Sequence, residues 1–142
     1  MKKISQKLQH RPGVEIARLA AAAAIDKKGE DVRILDVRGI CSFTDYFVIA
    51  SGRSTRHVQG LADAIDTALR NKKLRSTNTE GLQDGLWVLL DYDDVVVHLF
   101  YWETRPFYNL EGLWHDGIPV SLEASEGEAA GRADEVKQAR TM

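Results

Sequence analysis

The stretch from Leu86 to Trp102 constrains this chain more than any other. It holds two apolar runs, residues 86–90 and 95–101, separated by Asp91, Tyr92, Asp93 and Asp94. Side chains alternate sides along a strand, so Val95, Val97, Leu99 and Tyr101 take one face and Val96, His98, Phe100 and Trp102 the other. Leu86, Val88 and Leu90 likewise oppose Trp87 and Leu89. Strands apolar on both sides belong to a sheet whose two faces must both be covered. The acidic connection reads as a tight hairpin, which makes the pair antiparallel.

The remaining elements follow from spacing. Val14, Ala17, Ala21, Ala24 and Ile25 recur at helical intervals, and their alanine run favours a helix over residues 14–27. Pro12 and Gly13 mark its entry and Gly29 its stop. Residues 31–37 read as a strand, 39–44 as a turn, and 46–50 as a second strand apolar on both sides. Ser54 is placed to cap a helix over residues 55–73. That helix carries a stripe of Val58, Leu61, Ala62, Ile65, Ala68 and Leu69, with Arg56, Asp63, Asp66 and Arg70 facing water. Short irregular and helical pieces follow Trp102. The expected fold is a single mixed α/β domain, a sheet of four to five strands with helices mainly on one face. Residues 1–13 form an N-terminal arm, 14–119 the domain, and 120–142 an acidic tail whose Glu, Ala, Gly and Ser content predicts disorder.

Four strands about 4.8 Å apart make a sheet roughly 15–20 Å wide. Two helices about 10 Å across cover one face and no more. A surface rich in Trp87, Leu89, His98 and Phe100 is then left over. Either another macromolecule covers it, as large apolar patches usually imply, or the segment after Trp102 folds back upon it.

Charge narrows the classes of partner. The tail from Ser121 holds five of the 21 acidic residues and three of the 19 basic ones, leaving 16 of each in the body. A neutral body is a poor starting point for gripping a phosphate backbone, so little direct nucleic-acid contact is expected. One cysteine, Cys41, suits a reducing compartment. No apolar run approaches the roughly 20 residues that cross a bilayer, and the residues after Lys2 and Lys3 are not a signal-peptide core. A cytoplasmic protein without a membrane partner is expected.

Several ordered pieces resemble the ribosomal silencing factor family, also called Iojap-like. They are Asp36-Val-Arg-Gly39, Thr44-Asp-Tyr-Phe-Val-Ile-Ala-Ser-Gly52 with Ser54, Glu80-Gly81 and Trp87. Leu90-Asp-Tyr-Asp-Asp-Val-Val-Val-His98 with Phe100 comes next, then Arg105-Pro-Phe-Tyr-Asn-Leu-Glu-Gly-Leu-Trp114. Arg53 stands where the family often has Asn, and the acidic tail lies outside these pieces. The resemblance implies a mixed α/β domain of nucleotidyltransferase-like topology, often a homodimer. It implies a partner, the large-subunit ribosomal protein L-fourteen, on the face that meets the small subunit. Occupying that face would block subunit joining and repress translation when nutrients run short. A role in large-subunit assembly is also implied.

The topology raises the alternative of an enzyme. Nucleotidyltransferases need a glycine-serine turn and two carboxylates one residue apart to hold Mg²⁺. Here Ser51 and Gly52 stand in inverted order, and Asp91 and Asp93 sit in what reads as a hairpin turn. Asp63 and Asp66 read as solvated charge. His57, His98 and His115 lack the companion spacing of a zinc site. No catalytic residue, metal or cofactor is expected, and Asp36 and Asp45 read as turn braces.

The candidate contacts are therefore those of a binding protein. Trp87, His98, Phe100 and Trp102 come from the leftover face. Arg105, Tyr108, Leu110 and Trp114 come from the segment behind it, the last three equally readable as core. Aromatic residues and Arg dominate binding hot spots. Asp91, Glu103 and Glu111 supply negative charge for basic groups on a ribosomal protein.

Overall fold

The computed structural model describes residues 11–123. Most of the N-terminal arm and the tail expected to be disordered lie outside the described residues.

Helix α1 (Gly13–Asp26) buries Ala17, Ala20, Ala21 and Ala24, small side chains that let its backbone come close to the sheet. It ends one residue before the expected 27. Lys28 takes the left-handed position at φ 68°, and the Gly29 amide donates to the Ala24 carbonyl at 2.7 Å. Helix α2 (Thr55–Arg70) is capped by Ser54, whose side chain accepts from the His57 amide. It closes three residues before the expected 73 with the same motif, Lys73 at φ 66° and Leu74 bonded back to Leu69 at 2.9 Å. Both are Schellman closures with lysine where glycine is cheapest.

Six strands form one sheet in the order β3-β4-β5-β2-β1-β6. They are β1 (Glu30–Asp36), β2 (Tyr46–Gly52), β3 (Asn78–Glu80), β4 (Trp87–Asp91), β5 (Val95–Tyr101) and β6 (Ile118–Val120). The central β2–β5 pair is parallel. The β4–β5 hairpin is antiparallel as expected, with Trp87 opposite Phe100 and Leu89 opposite His98. The expected count of four to five strands is corrected to six. The two additions, β3 and β6, are edge strands of three residues, too short to show an alternation. Pro119 is tolerated in β6 because that strand pairs on one side. Gly81 holds φ +81°, and a Cβ there would lie 2.0 Å from the Trp87 carbonyl oxygen. Only glycine lets the turn from β3 pass so close behind Trp87.

The alternation sorts the core into two layers. Ile34, Val48, Ala50, Val88, Leu90, Val95, Val97 and Leu99 pack under α1 and α2. Leu35, Val37, Phe47, Ile49, Val96 and Phe100 form the second layer. Two four-residue helices, α3 (Arg105–Tyr108) and α4 (Leu110–Leu113), cross this second face. Leu110 and Trp114 pack onto it. The fold-back reading of the leftover face therefore holds. A flap folds back over the sheet, and its outer side is itself apolar.

Candidate docking surface

Trp87 is the floor of this surface. Its indole Nε1 donates to His98 Nδ1 at 3.1 Å. Tyr108 lies over it with ring centroids 4.6 Å apart, and Phe100 flanks it at 5.1 Å. Further along the flap, Trp114 meets Phe47 edge-on at 5.5 Å and Phe43 at 6.4 Å. Burial holds His98 neutral by pushing its pKa down to about 4.

The flap is tied down by charge. Arg105 is buried, and its Nη1 donates to Ser51 Oγ at 2.8 Å. Its Nε and Nη2 donate to the two oxygens of Glu111 at 3.1 and 2.9 Å. Asp31 lies 3.5 Å from Arg105, Arg33 lies 2.9 Å from Asp31, and Arg33 lies 3.6 Å from Glu111. Two arginines and two carboxylates thus alternate around a closed ring linking β1 to the flap. A fork of this kind fixes both distance and plane. Asn109, at φ 47°, turns the chain between α3 and α4 and accepts from the Gly112 amide at 3.2 Å.

Burial divides the expected contacts. Phe100 is fully enclosed and His98, Leu110 and Arg105 nearly so. In the single chain these four are covered: alternation names the face a side chain takes, but the flap decides whether that face is open. Glu111 is committed to Arg105. Asp91 braces the hairpin, its Oδ1 accepting from the Asp93 amide at 2.8 Å. Trp102 is half exposed but stands apart from the aromatic stack, because the chain leaves the sheet at Tyr101. Glu103 is exposed beside it. Trp87 and Trp114 are half-buried and Tyr108 is exposed.

Exposure also adds residues. Phe107 is 79% exposed, Leu113 71% and Phe43 64%. With Tyr108 and Trp114, Phe107 and Leu113 form the apolar outer side of the flap, a ridge that Phe43 joins from the turn before β2 through its edge-on contact with Trp114. Phe43 lies in a turn, where no periodicity marks it; the only signal was a large apolar side chain in a segment that otherwise reads as solvated. Among the described residues no group of three or more His, Cys, Asp or Glu is placed to hold a metal ion. No helix there is long and apolar enough to cross a membrane.

A family model described as "Ribosomal silencing factor during starvation" matches residues 10–142. The chain belongs to the ribosomal silencing factor family. The match runs through the acidic tail, beyond the pieces that carried the resemblance. A relative from Bacillus subtilis, "Ribosomal silencing factor RsfS", is 43% identical over 108 residues, 76% of this chain and 92% of the relative. A crystal structure of a Chromobacterium violaceum protein is 35% identical with a TM-score of 0.72, covering 74% of this chain and 88% of that one. A mouse relative, "Mitochondrial assembly of ribosomal large subunit protein 1", is 35% identical over 91 residues, 62% of this chain and 40% of its own length.

Proposed function

We propose that this silencing-factor chain docks on the large ribosomal subunit through the flap ridge and blocks joining of the small subunit by its bulk. The observation that carries the proposal is the exposure of Phe107, Tyr108 and Leu113 on a flap that Arg105 locks to the sheet, with Phe43 exposed in the neighbouring turn. Large apolar side chains on an anchored support lose little entropy on binding. A standard interface needs about 800 Å² from each partner. The partner named by the family resemblance is ribosomal protein L-fourteen. Asp91 and Glu103 supply negative charge that would speed encounter with a basic ribosomal protein. Obstruction of this kind requires no catalysis, and the proposed site of action is the cytoplasm.

Binding of the purified chain to isolated L-fourteen, measured calorimetrically, tests this. Saturable binding that Phe107→Ala weakens is expected, and no binding at micromolar concentrations would overturn it. Self-pairing of two copies belongs to the same proposal and is tested by equilibrium sedimentation. A second reading, assistance in large-subunit assembly, is favoured by the printed name of the mouse relative. Accumulation of immature large subunits on deletion would select it.

A further inference from the structure

Six cations are exposed and form no ion pair among the described residues: Lys27, Lys28, Arg56, Lys72, Lys73 and Arg75. Half of them fall where the chain passes from α2 toward β3. The acids closest in sequence are already engaged, Asp66 by Arg70 and by the Tyr92 hydroxyl at 3.0 Å, and Glu80 by the Asn78 side chain at 2.7 Å. Asp91, which β4 places opposite Asn78, closes its own hairpin by accepting from the Asp93 amide at 2.8 Å. Residues 66–80 hold four cations against two acids. A body that is neutral in sum thus carries a local excess of positive charge.

The turn that bears this charge is held in place. The Leu74 amide donates to the Leu69 carbonyl at 2.9 Å, and Leu74 packs against the core beneath the helices. The Thr77 amide donates to the Asp91 carbonyl at 2.7 Å. Cations on a fixed backbone lose less freedom when they meet a partner. Lys73 sits at φ 66°, where a Cβ is strained and glycine is not. Strain of this kind gathers at functional positions. Complementing the dipole of α2 accounts for Lys72 and Lys73 at most, because that effect fades beyond the last turn and Arg75 stands well past Arg70, the last helical residue.

The surroundings favour phosphate over other anions. Asn71, Thr77, Asn78 and Thr79 are exposed and polar, and the one large apolar side chain, Leu74, is half-buried. Lysine is a point charge suited to phosphate, whereas carboxylates are best held by an arginine fork. A peptide extending the sheet at β3 would need pockets for alternate side chains, and β3 offers only exposed Asn, Thr and Glu. A membrane surface would need apolar anchors. The strand β3 borders β4, whose Trp87 is the floor of the ridge, so a large partner seated on the ridge can extend to this corner.

We infer that the turn between α2 and β3 is an RNA contact, with Lys72, Lys73 and Arg75 each neutralising a phosphate of ribosomal RNA beside the docking surface. Contacts to phosphate position a protein and read no sequence. The inference rests on the docking reading for the choice of ribosomal RNA, so the first arm of its test contains no ribosome.

That arm is fluorescence anisotropy of a labelled RNA hairpin, titrated with the full chain between about 50 and 200 mM salt. Saturable binding is expected, with an affinity that falls roughly 40-fold over this range, the effect of about three neutralised phosphates. A Lys72→Gln, Lys73→Gln, Arg75→Gln triple variant that melts like the parent should lose at least about tenfold in affinity and most of the salt dependence. Lys73→Gly should lose about one third of the logarithmic salt slope yet fold more stably than the parent, a combination that a merely structural lysine would not give. On isolated large subunits the triple variant should flatten the salt dependence of binding, whereas Phe107→Ala should lower affinity and leave that dependence intact. No saturable hairpin binding by about 1 mM protein, or a triple variant that binds the hairpin like the parent, would overturn the inference even where subunits still dock through the ridge. An unchanged salt slope on subunits would overturn it too. Equal or tighter binding to poly-glutamate would assign an acidic polypeptide instead of RNA, with the same consequence.

Discussion

The Trp87 indole donates to His98 Nδ1 at 3.1 Å across the β4–β5 hairpin. Indole nitrogen only donates, so His98 must be neutral with its proton on Nε2. That Nε2 is buried without a hydrogen-bond partner. A second proton would turn Nδ1 into a donor facing another donor, and would place a charge inside the aromatic layer.

The pH dependence of stability follows. The folded pKa of His98 is depressed to about 4 from 6.5. Between those values the unfolded chain binds a proton that the folded chain refuses, so stability is full above about pH 6.5 and falls as pH drops toward 4. The loss is on the order of 2–3 kcal/mol. His98→Gln keeps an acceptor for Trp87 but does not titrate. Thermal melts from pH 7 to 4.5 should show a flatter slope for this variant than for the parent chain.

Exposure separates contact from support. Phe107→Ala should weaken large-subunit binding by about 2 kcal/mol, roughly thirtyfold, if Phe107 is a hot spot. Its melting temperature should match the parent's. Phe100→Ala, by contrast, opens a cavity in the second core layer and should cost about 3–5 kcal/mol of stability. Calorimetry and denaturant unfolding of the two variants would show opposite profiles.

The charge ring makes its own prediction. Arg105→Ala leaves Glu111 without its fork and Ser51 without its donor, and should destabilise by about 1–3 kcal/mol, since Glu111 is partly exposed and keeps Arg33 at 3.6 Å. Arg105→Lys keeps the charge but not the plane, so it should recover only part of that loss. Urea titrations monitored by tryptophan fluorescence would rank the three chains.

Both helix ends hold a lysine in the left-handed region. Lys28→Gly and Lys73→Gly should each raise stability by about 0.5–1 kcal/mol, because glycine removes the Cβ strain. The double variant should be nearly additive in a urea titration, since the residues close separate helices.

These predictions rest on features that differ in how plainly the sequence carries them. The doubly apolar β5, the hairpin at Asp93 and the Ser54 cap are local patterns, and each appears where its spacing places it. The strands β3 and β6 do not, since three residues at an edge carry no periodicity. The bulge in β1 at Asp31 is equally silent, because a one-residue insertion looks like ordinary sequence until a partner strand gives the register. Phe100 and Arg105 show the main limit. Their residue types suit an interface, yet whether the flap seals them depends on Leu110, Glu111 and Ser51 meeting in three dimensions. Phe43 illustrates the converse, an exposed contributor hidden in a turn.

Sedimentation of separated ribosomal subunits with this protein is the most direct measure of what the flap ridge is for. The chain should travel with large subunits and, as its concentration rises, reduce the fraction that joins small subunits; a Phe107→Ala, Tyr108→Ala double variant that remains folded should do neither. Unimpaired joining at saturating protein, or a double variant as effective as the parent, would contradict docking through the ridge.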